Sequence, residues 1–139
     1  MPTMRLQAKF ENLERLMGFI SECAKTQGFS QRRLREIELA TEEALVNIFN
    51  YAYPASGPGD VEIRCETGDR NRLVIEFLDN GVPFNIETLS EPDLNAPISQ
   101  RKVGGLGVFL IRRIVDEVHH CRDGNRNILT FVFHNNDRA

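Results

Sequence analysis

The sequence is short of the residues on which several protein classes depend. It has no Trp, two Tyr and three Cys among 139 residues. The cysteines, Cys23, Cys65 and Cys121, are odd in number and widely spaced, which argues against a disulfide framework and a zinc site. No apolar run approaches the roughly 20 residues that cross a bilayer, and the N-terminus shows no signal-peptide pattern. These absences predict a cytoplasmic protein.

An excess of positive charge is also lacking. Lys and Arg number 17 against 20 Asp and Glu, which gives a net charge of −3. Without a basic excess, direct binding to nucleic acid or to an anionic membrane is not expected. Hydrophobic residues at 41% and charged residues at 27% are typical of a folded globular chain. The length predicts a single domain over residues 1–139.

Hydrophobic periodicity predicts the element order β-α-α-β-β-loop-α-β. Strands are expected over residues 4–10, 61–66, 72–79 and 128–134. Helices are expected over 11–28, over 30–53 with Ser30 as N-cap, and from the glycines at 104–107 through Val118 to His119 and His120. Because helices and strands do not strictly alternate, the order predicts an α+β fold, a two-layer sandwich of three helices on one mixed, mostly antiparallel sheet.

Three features carry residues with useful chemistry. The first is the pair Glu43 and Asn47, which share a face of the second helix because they are four residues apart. A glutamate can act as a general base, and an amide oxygen can ligate Mg²⁺. On these residues alone, a solvent-facing pair on an amphipathic helix is the simpler interpretation.

The second feature is Asp79-Asn80-Gly81, which follows the most hydrophobic strand. Asn-Gly after a strand is first of all a turn signal. An aspartate at a strand end can also accept a hydrogen bond from an exocyclic amine. Gly81 would then allow a planar base to approach the backbone.

The third feature is Gly104-Gly105-Leu106-Gly107 at the start of the third helix. Unpaired N–H groups at a helix N-terminus favour an anion such as phosphate. The cluster is neither a Rossmann fingerprint, since it follows a long loop, nor a Walker A motif, since no Gly-Lys-Ser/Thr follows it. A flexible loop end is the competing interpretation.

Together, the three features resemble a known family. The segments ELATEEALVNIFNYAY, FLDNGVPF and GGLGVFLIRRIVDEV are similar to the N, G1 and G2 boxes of the Bergerat-fold (GHKL) ATP-binding superfamily. Within it they most resemble the anti-sigma-factor serine/threonine kinases, the switch kinases of bacterial partner switching. The resemblance covers nearly the whole chain.

The resemblance implies an ATP site with Mg²⁺. By position, Glu43 matches the general base and Asn47 the Mg²⁺ ligand, while Asp79 matches the acceptor of the adenine amine. The residues that the resemblance further assigns to nucleotide binding are Tyr51, Gly81, Arg101, Gly104, Gly105, Leu106, Gly107 and Thr130. Residues 85–103 would form a short lid over ATP, and either Arg101 or Lys102 would reach the terminal phosphate.

Two positions depart from the family pattern. Tyr51 stands where a histidine is common, and Pro83 replaces the second glycine of the G1 box. Since proline lacks a backbone donor, it puts the affinity for nucleotide in question.

The resemblance implies an enzyme that phosphorylates a small anti-sigma antagonist of the STAS class and binds a sigma factor. It also implies a homodimer and sigma-factor surface around the first helix, although a solvated face is the simpler interpretation of Arg15, Phe19 and Glu22. Two alternatives stay open. One is an anti-sigma binding module that uses ATP without transferring phosphate. The other is a histidine-kinase-type catalytic domain, which is less favoured because the chain lacks a phosphoacceptor-histidine hairpin.

Overall fold

The computed structural model describes residues 1–53, 59–68, 71–83 and 105–135. Its strands are β1 (Thr3–Gln7), β2 (Asp60–Glu66), β3 (Arg72–Asp79), β4 (Glu117–Asp123) and β5 (Arg126–His134). Its helices are a 3-10 turn (Phe10–Asn12), α1 (Leu13–Thr26), α2 (Gln31–Tyr51) and α3 (Gly105–Ile114). The α+β prediction is confirmed: three α-helices lie against one sheet.

The sheet has the strand order β1-β2-β3-β5-β4. All four pairings among the described strands are antiparallel, so the sheet has no parallel pair in this part of the chain, where a mixed sheet was predicted. The register places Asp79, the last residue of β3, opposite Asn127 of β5. This pairing positions the site described below.

The strand β4 corrects the prediction for the third helix. That helix ends at Ile114, and His119 and His120 lie in β4 instead of closing the helix. Alternating exposure along β4 and its continuous pairing with β5 define the strand. Gly124, with φ +61°, forms the turn between the two strands, because a left-handed residue fits a tight hairpin.

The two long helices form as the sequence predicts. Ser30 caps α2, since its hydroxyl accepts a hydrogen bond from the Arg33 N–H at 3.2 Å. The first strand is shorter than predicted and ends at Gln7, because the chain turns into the 3-10 segment at Phe10.

The core lies between the helices and one face of the sheet. Phe77, Phe131 and Phe133 are fully buried on that face, and neighbouring rings meet edge to face with centroids 5.2 and 6.2 Å apart. The helices contribute buried residues such as Leu16 and Ile48 to the same cluster. Within the described ranges, no helix is both long and apolar enough to cross a membrane.

Candidate nucleotide-binding site

The middle of α2 carries a buried amide. Asn47 is 1% exposed, so a solvent-facing position does not describe it. Its Nδ2 donates a hydrogen bond to the Glu43 carbonyl oxygen at 2.9 Å. Since Nδ2 donates to the helix backbone, the amide oxygen Oδ1 is the atom of Asn47 that could act as a metal ligand.

The carboxyl group of Glu43 lies against the first turn of α3. A Cβ built on Gly107 would overlap Glu43 Oε2 and would come within 3.1 Å of Cδ. The two helices therefore meet at a glycine that leaves room for a carboxylate. Desolvation raises the pKa of Glu43, and the negative charge of Glu42 adds to this rise. A carboxylate with a raised pKa is a stronger base.

Asp79 lies at the end of β3 and is 4% exposed. Its Oδ1 accepts hydrogen bonds from the Gly81 N–H and from Asn127 Nδ2, both at 2.9 Å. Burial raises the pKa of the Asp79 carboxyl, while the bonds from Asn127 and Gly81 and the charge of Arg122 oppose this rise. A buried carboxylate at a strand end is a candidate ligand acceptor.

Gly81 is buried against the end of α2. A Cβ at this position would overlap the carbonyl oxygen of Ala52, which itself accepts a hydrogen bond from the Val82 N–H at 2.8 Å. The turn after β3 and the last turn of α2 are thus in direct contact. From Glu43 to Ala52 the helix rises about 13 Å, at 1.5 Å per residue.

The first turn of α3 and the turn after β3 therefore both contact α2, at positions about 13 Å apart along the helix. Glu43 meets Gly107 at one of these positions, Gly81 with its neighbour Asp79 lies at the other, and Asn47 lies one helical turn after Glu43, between them. Tyr51 is half-buried at the last position of α2, between the two ends in sequence.

Thr130 is not brought to this site. It is opposite Glu76 in the register, on the face of the sheet that alternates with the face carrying Asp79 and Asn127. The side chain that meets Asp79 from β5 is Asn127, three residues earlier. This geometry does not support the adenine-assisting role expected of Thr130.

Three site residues were missed in the sequence. Asn127 binds Asp79, and Arg122 of β4 donates from Nη1 to Asn127 Oδ1 at 3.1 Å. Tyr53 donates to the Asp60 carbonyl at 2.6 Å and accepts from the Asn80 N–H at 2.9 Å, which fixes the turn after β3. The Asp123-Gly124 hairpin signal could have revealed β4 and thus Arg122.

Several residues that the resemblance assigns to the site are not placed beside Glu43 or Asp79 by the described part of the chain. Arg101, Lys102, Gly104 and the proposed lid lie outside the described residues. Gly105 and Leu106 are the first two residues of α3. Within the described ranges there is no cluster of three or more His, Cys, Asp or Glu side chains that could hold a metal ion. Asn47 would hold Mg²⁺ through its amide oxygen, with phosphate oxygens and water as the other ligands.

A family model described as the histidine kinase-like ATPase domain matches residues 6–133. The chain belongs to that family. The resemblance to GHKL ATP-binding proteins is thus confirmed. The relatives named as serine-protein kinases agree with the narrower resemblance to the anti-sigma-factor serine/threonine kinases. Serine-protein kinase RsbW of Bacillus mycoides is 29% identical over 130 residues, which cover 91% of this chain and 80% of that protein. The protein of the same name from Listeria monocytogenes is 28% identical over 120 residues, covering 84% and 76%.

Solved structures agree on the fold. The RsbU and RsbW domains of a Mycobacterium tuberculosis protein superpose with a TM-score of 0.63 at 11% identity, over 96% of this chain and 32% of that one. The histidine kinase domain of a blue-light-activated kinase from Erythrobacter litoralis gives a TM-score of 0.57 at 18% identity, over 88% and 61%. Because this chain spans less than two thirds of those chains, and identity is low, the likeness concerns the fold alone.

Proposed function

We propose that this protein is an ATP-dependent, Mg²⁺-dependent protein serine/threonine kinase and anti-sigma factor of the bacterial cytoplasm. Its substrate would be a small STAS-domain antagonist, and its target a sigma factor. The names of the relatives support the serine-kinase activity. The observation that carries the proposal is the placement along α2 of Glu43 against Gly107, of the buried Asn47 one turn later, and of Gly81 with its neighbour Asp79 at the end of the helix.

The adenine end is built for an amine donor. Asp79 is an acceptor in a shielded position, and the Gly81 N–H donates to its Oδ1. A buried acceptor that loses its donor leaves a polar group unpaired, which makes such a contact selective.

The phosphate end provides a base, a metal ligand and a helix N-terminus. Asn47 would hold Mg²⁺ through Oδ1, and the first turn of α3 would donate N–H groups to phosphate. The bound ion supplies charge neutralisation of the phosphoryl group. Glu43 would orient the acceptor hydroxyl and accept its proton, a role that its raised pKa favours.

The proposal is tested by separating binding from transfer. Glu43→Gln keeps the size of the side chain and removes the base, so it should keep Mg²⁺-ATP affinity and lower transfer by about 10²-fold or more. Asn47→Ala should weaken both. Glu38→Gln is the matched control, because Glu38 lies on the same helix and accepts from Ser21 Oγ, away from Gly107.

The assay combines calorimetric titration with radiolabelled transfer to a purified STAS-domain antagonist. Wild-type transfer by Glu43→Gln would refute the mechanism. ATP binding without transfer to any antagonist would replace it with the binding-module alternative. An acid-labile phosphoprotein product would instead identify phosphohistidine, as expected of a histidine-kinase-type domain.

We also propose that residues 1–139 form one domain and that the chain forms a homodimer through the surface around α1. The exposed ring of Phe10, at 56% exposure, lies beside that helix and supports an interface there. Sedimentation of the wild type against Phe10→Ser tests this point, with a monomeric wild type as the opposing result.

A further inference from the structure

Arg122 lies in β4, outside every motif that identifies the family, and yet it reaches the adenine end of the site. Its Nη1 donates to the Gly81 carbonyl at 2.9 Å and to Asn127 Oδ1 at 3.1 Å, and its Nε donates to the Gly124 carbonyl at 3.2 Å. The guanidinium therefore connects the hairpin turn to the turn that follows Asp79.

These contacts determine how the Asn127 amide is oriented. A guanidinium only donates hydrogen bonds, so the atom of Asn127 that faces Arg122 must be the carbonyl oxygen. The amide nitrogen must then face the other side, where it donates to Asp79 Oδ1 at 2.9 Å and to the Val82 carbonyl at 2.8 Å. The reverse orientation would place donor against donor and acceptor against acceptor.

The orientation of Asn127 in turn sets the state of Asp79. Both described hydrogen bonds to the carboxyl end on Oδ1, which favours the ionised form and leaves Oδ2 outside these two bonds. An ionised carboxylate accepts from the exocyclic amine of adenine. A protonated one could instead donate to the O6 acceptor that guanine carries at the equivalent position.

We propose that Arg122 and Asn127 are positioning residues that hold Asp79 as an ionised acceptor and so set the preference of the site for adenine over guanine. The inference rests on the proposed function, in which Asp79 receives the adenine amine. Arg122 acts through Asn127 and does not touch the nucleotide.

The charged and titratable groups that act on Asp79 come from two elements. Arg122 and His120 of β4 lower its pKa by their charge, and Tyr53 at the end of α2 is close enough for Asp79 to raise the pKa of its hydroxyl. Loss of the Asn127 donor removes the largest opposing contribution to the rise caused by burial. The affinity for ATP should then begin to fall at a higher pH as the solution is acidified.

The experiment is calorimetric titration of the full chain with Mg²⁺-ATP and Mg²⁺-GTP from about pH 5 to about pH 8. Arg122→Met keeps the aliphatic stem and is exposed, so folding should survive; Asn127→Leu removes the amide itself. Each should lower the ATP-to-GTP preference by about three- to tenfold and move the acid limb of ATP binding to higher pH. Arg122→Lys retains one cationic donor and should restore part of the preference.

Arg64→Met is the matched control, because Arg64 lies on β2 and pairs with Glu62 at 2.6 Å, on the face away from Asp79. It should behave as the wild type. If Arg122→Met keeps both the wild-type preference and the wild-type pH profile, the positioning role is wrong even where Asp79→Ala abolishes binding. If the wild type itself shows no preference for ATP over GTP, the adenine assignment of the proposed function fails instead.

Discussion

Replacing Gly81 with alanine tests the contact that joins the two halves of the site. The new Cβ would overlap the Ala52 carbonyl oxygen and lie 2.7 Å from the Ala52 Cβ. Ala52 cannot easily give way, because its N–H donates to the Ile48 carbonyl at 3.0 Å and its own carbonyl accepts from Val82 at 2.8 Å. The overlap is therefore with constrained backbone.

The cost of this substitution follows from two contributions. Overpacking of a tight contact costs about 1–3 kcal/mol, and loss of the Val82 hydrogen bond costs about 1 kcal/mol. Gly81→Ala should therefore lower the free energy of unfolding by about 2–4 kcal/mol. It should also weaken ATP binding, since the turn carrying Asp79 must move away from α2.

Gly18→Ala provides the matched control. Gly18 lies in the middle of α1, and a Cβ there would meet nothing within 4 Å. Alanine should then stabilise the helix by about 1 kcal/mol. Urea unfolding followed by circular dichroism compares the two variants on one scale. If Gly81→Ala unfolds at the wild-type midpoint and binds ATP normally, the close packing of the turn against α2 is refuted.

Three further predictions concern the two ends of the site. Asp79→Ala should weaken ATP and ADP binding alike by about 2–3 kcal/mol, measured calorimetrically, with an unchanged circular dichroism spectrum. Burial raises the pKa of Asp79 in the folded state. The contribution of this carboxyl group to stability is therefore full below its unfolded-state pKa near 3.9 and is lost as the pH rises through its folded-state pKa. Asp79→Asn should make the melting temperature less dependent on pH in that window. Gly107→Ala should displace the Glu43 carboxylate and lower phosphotransfer by up to about 10²-fold, while a normal transfer rate would show that the carboxylate position is unimportant.

The sequence predicts those parts of the fold that local patterns control. The cap at Ser30 and the buried faces of the first two helices need no distant partner to be recognised. The same holds for β2 and β3, whose alternation is regular. Glu43, Asn47, Asp79 and Gly81 each sit in a short local motif, but the resemblance to a known family, and not the motif alone, assigns them to the site.

The strand β4 was missed because two patterns compete there. Ile114, Val115 and Val118 fit helical spacing, which predicted a longer third helix. Pairing with β5 decides the outcome instead, since it satisfies the backbone from Glu117 to Asp123. Formation of the strand therefore depends on a tertiary partner, β5, and the helical propensity of this segment is too weak to outweigh that pairing.

The register of the sheet explains why the contacts of Asp79 could not be read from the sequence. Asn127 is 48 residues from Asp79 in the chain, and a shift of one residue would turn its side chain to the other face. The expectation for Thr130 came from the resemblance, and the register of β5 places Thr130 on the face opposite to the one that carries Asp79 and Asn127. A sequence motif identifies the residues that could take part in a site, and the register of the sheet determines which of their side chains come into contact.

The hydrogen bonds around Asp79 indicate why a carboxylate is buried at the end of β3. A buried carboxylate is costly unless donors surround it. Here the Gly81 N–H and Asn127 Nδ2 donate to Asp79, and Arg122 of β4 in turn donates to Asn127. A hydrophobic residue at the end of β3 would join the core without any of this network, as Phe77 does two residues earlier. Polar residues that break the pattern of the core in this way are typical of binding sites. The network is thus consistent with the proposed contact between Asp79 and the amine of adenine.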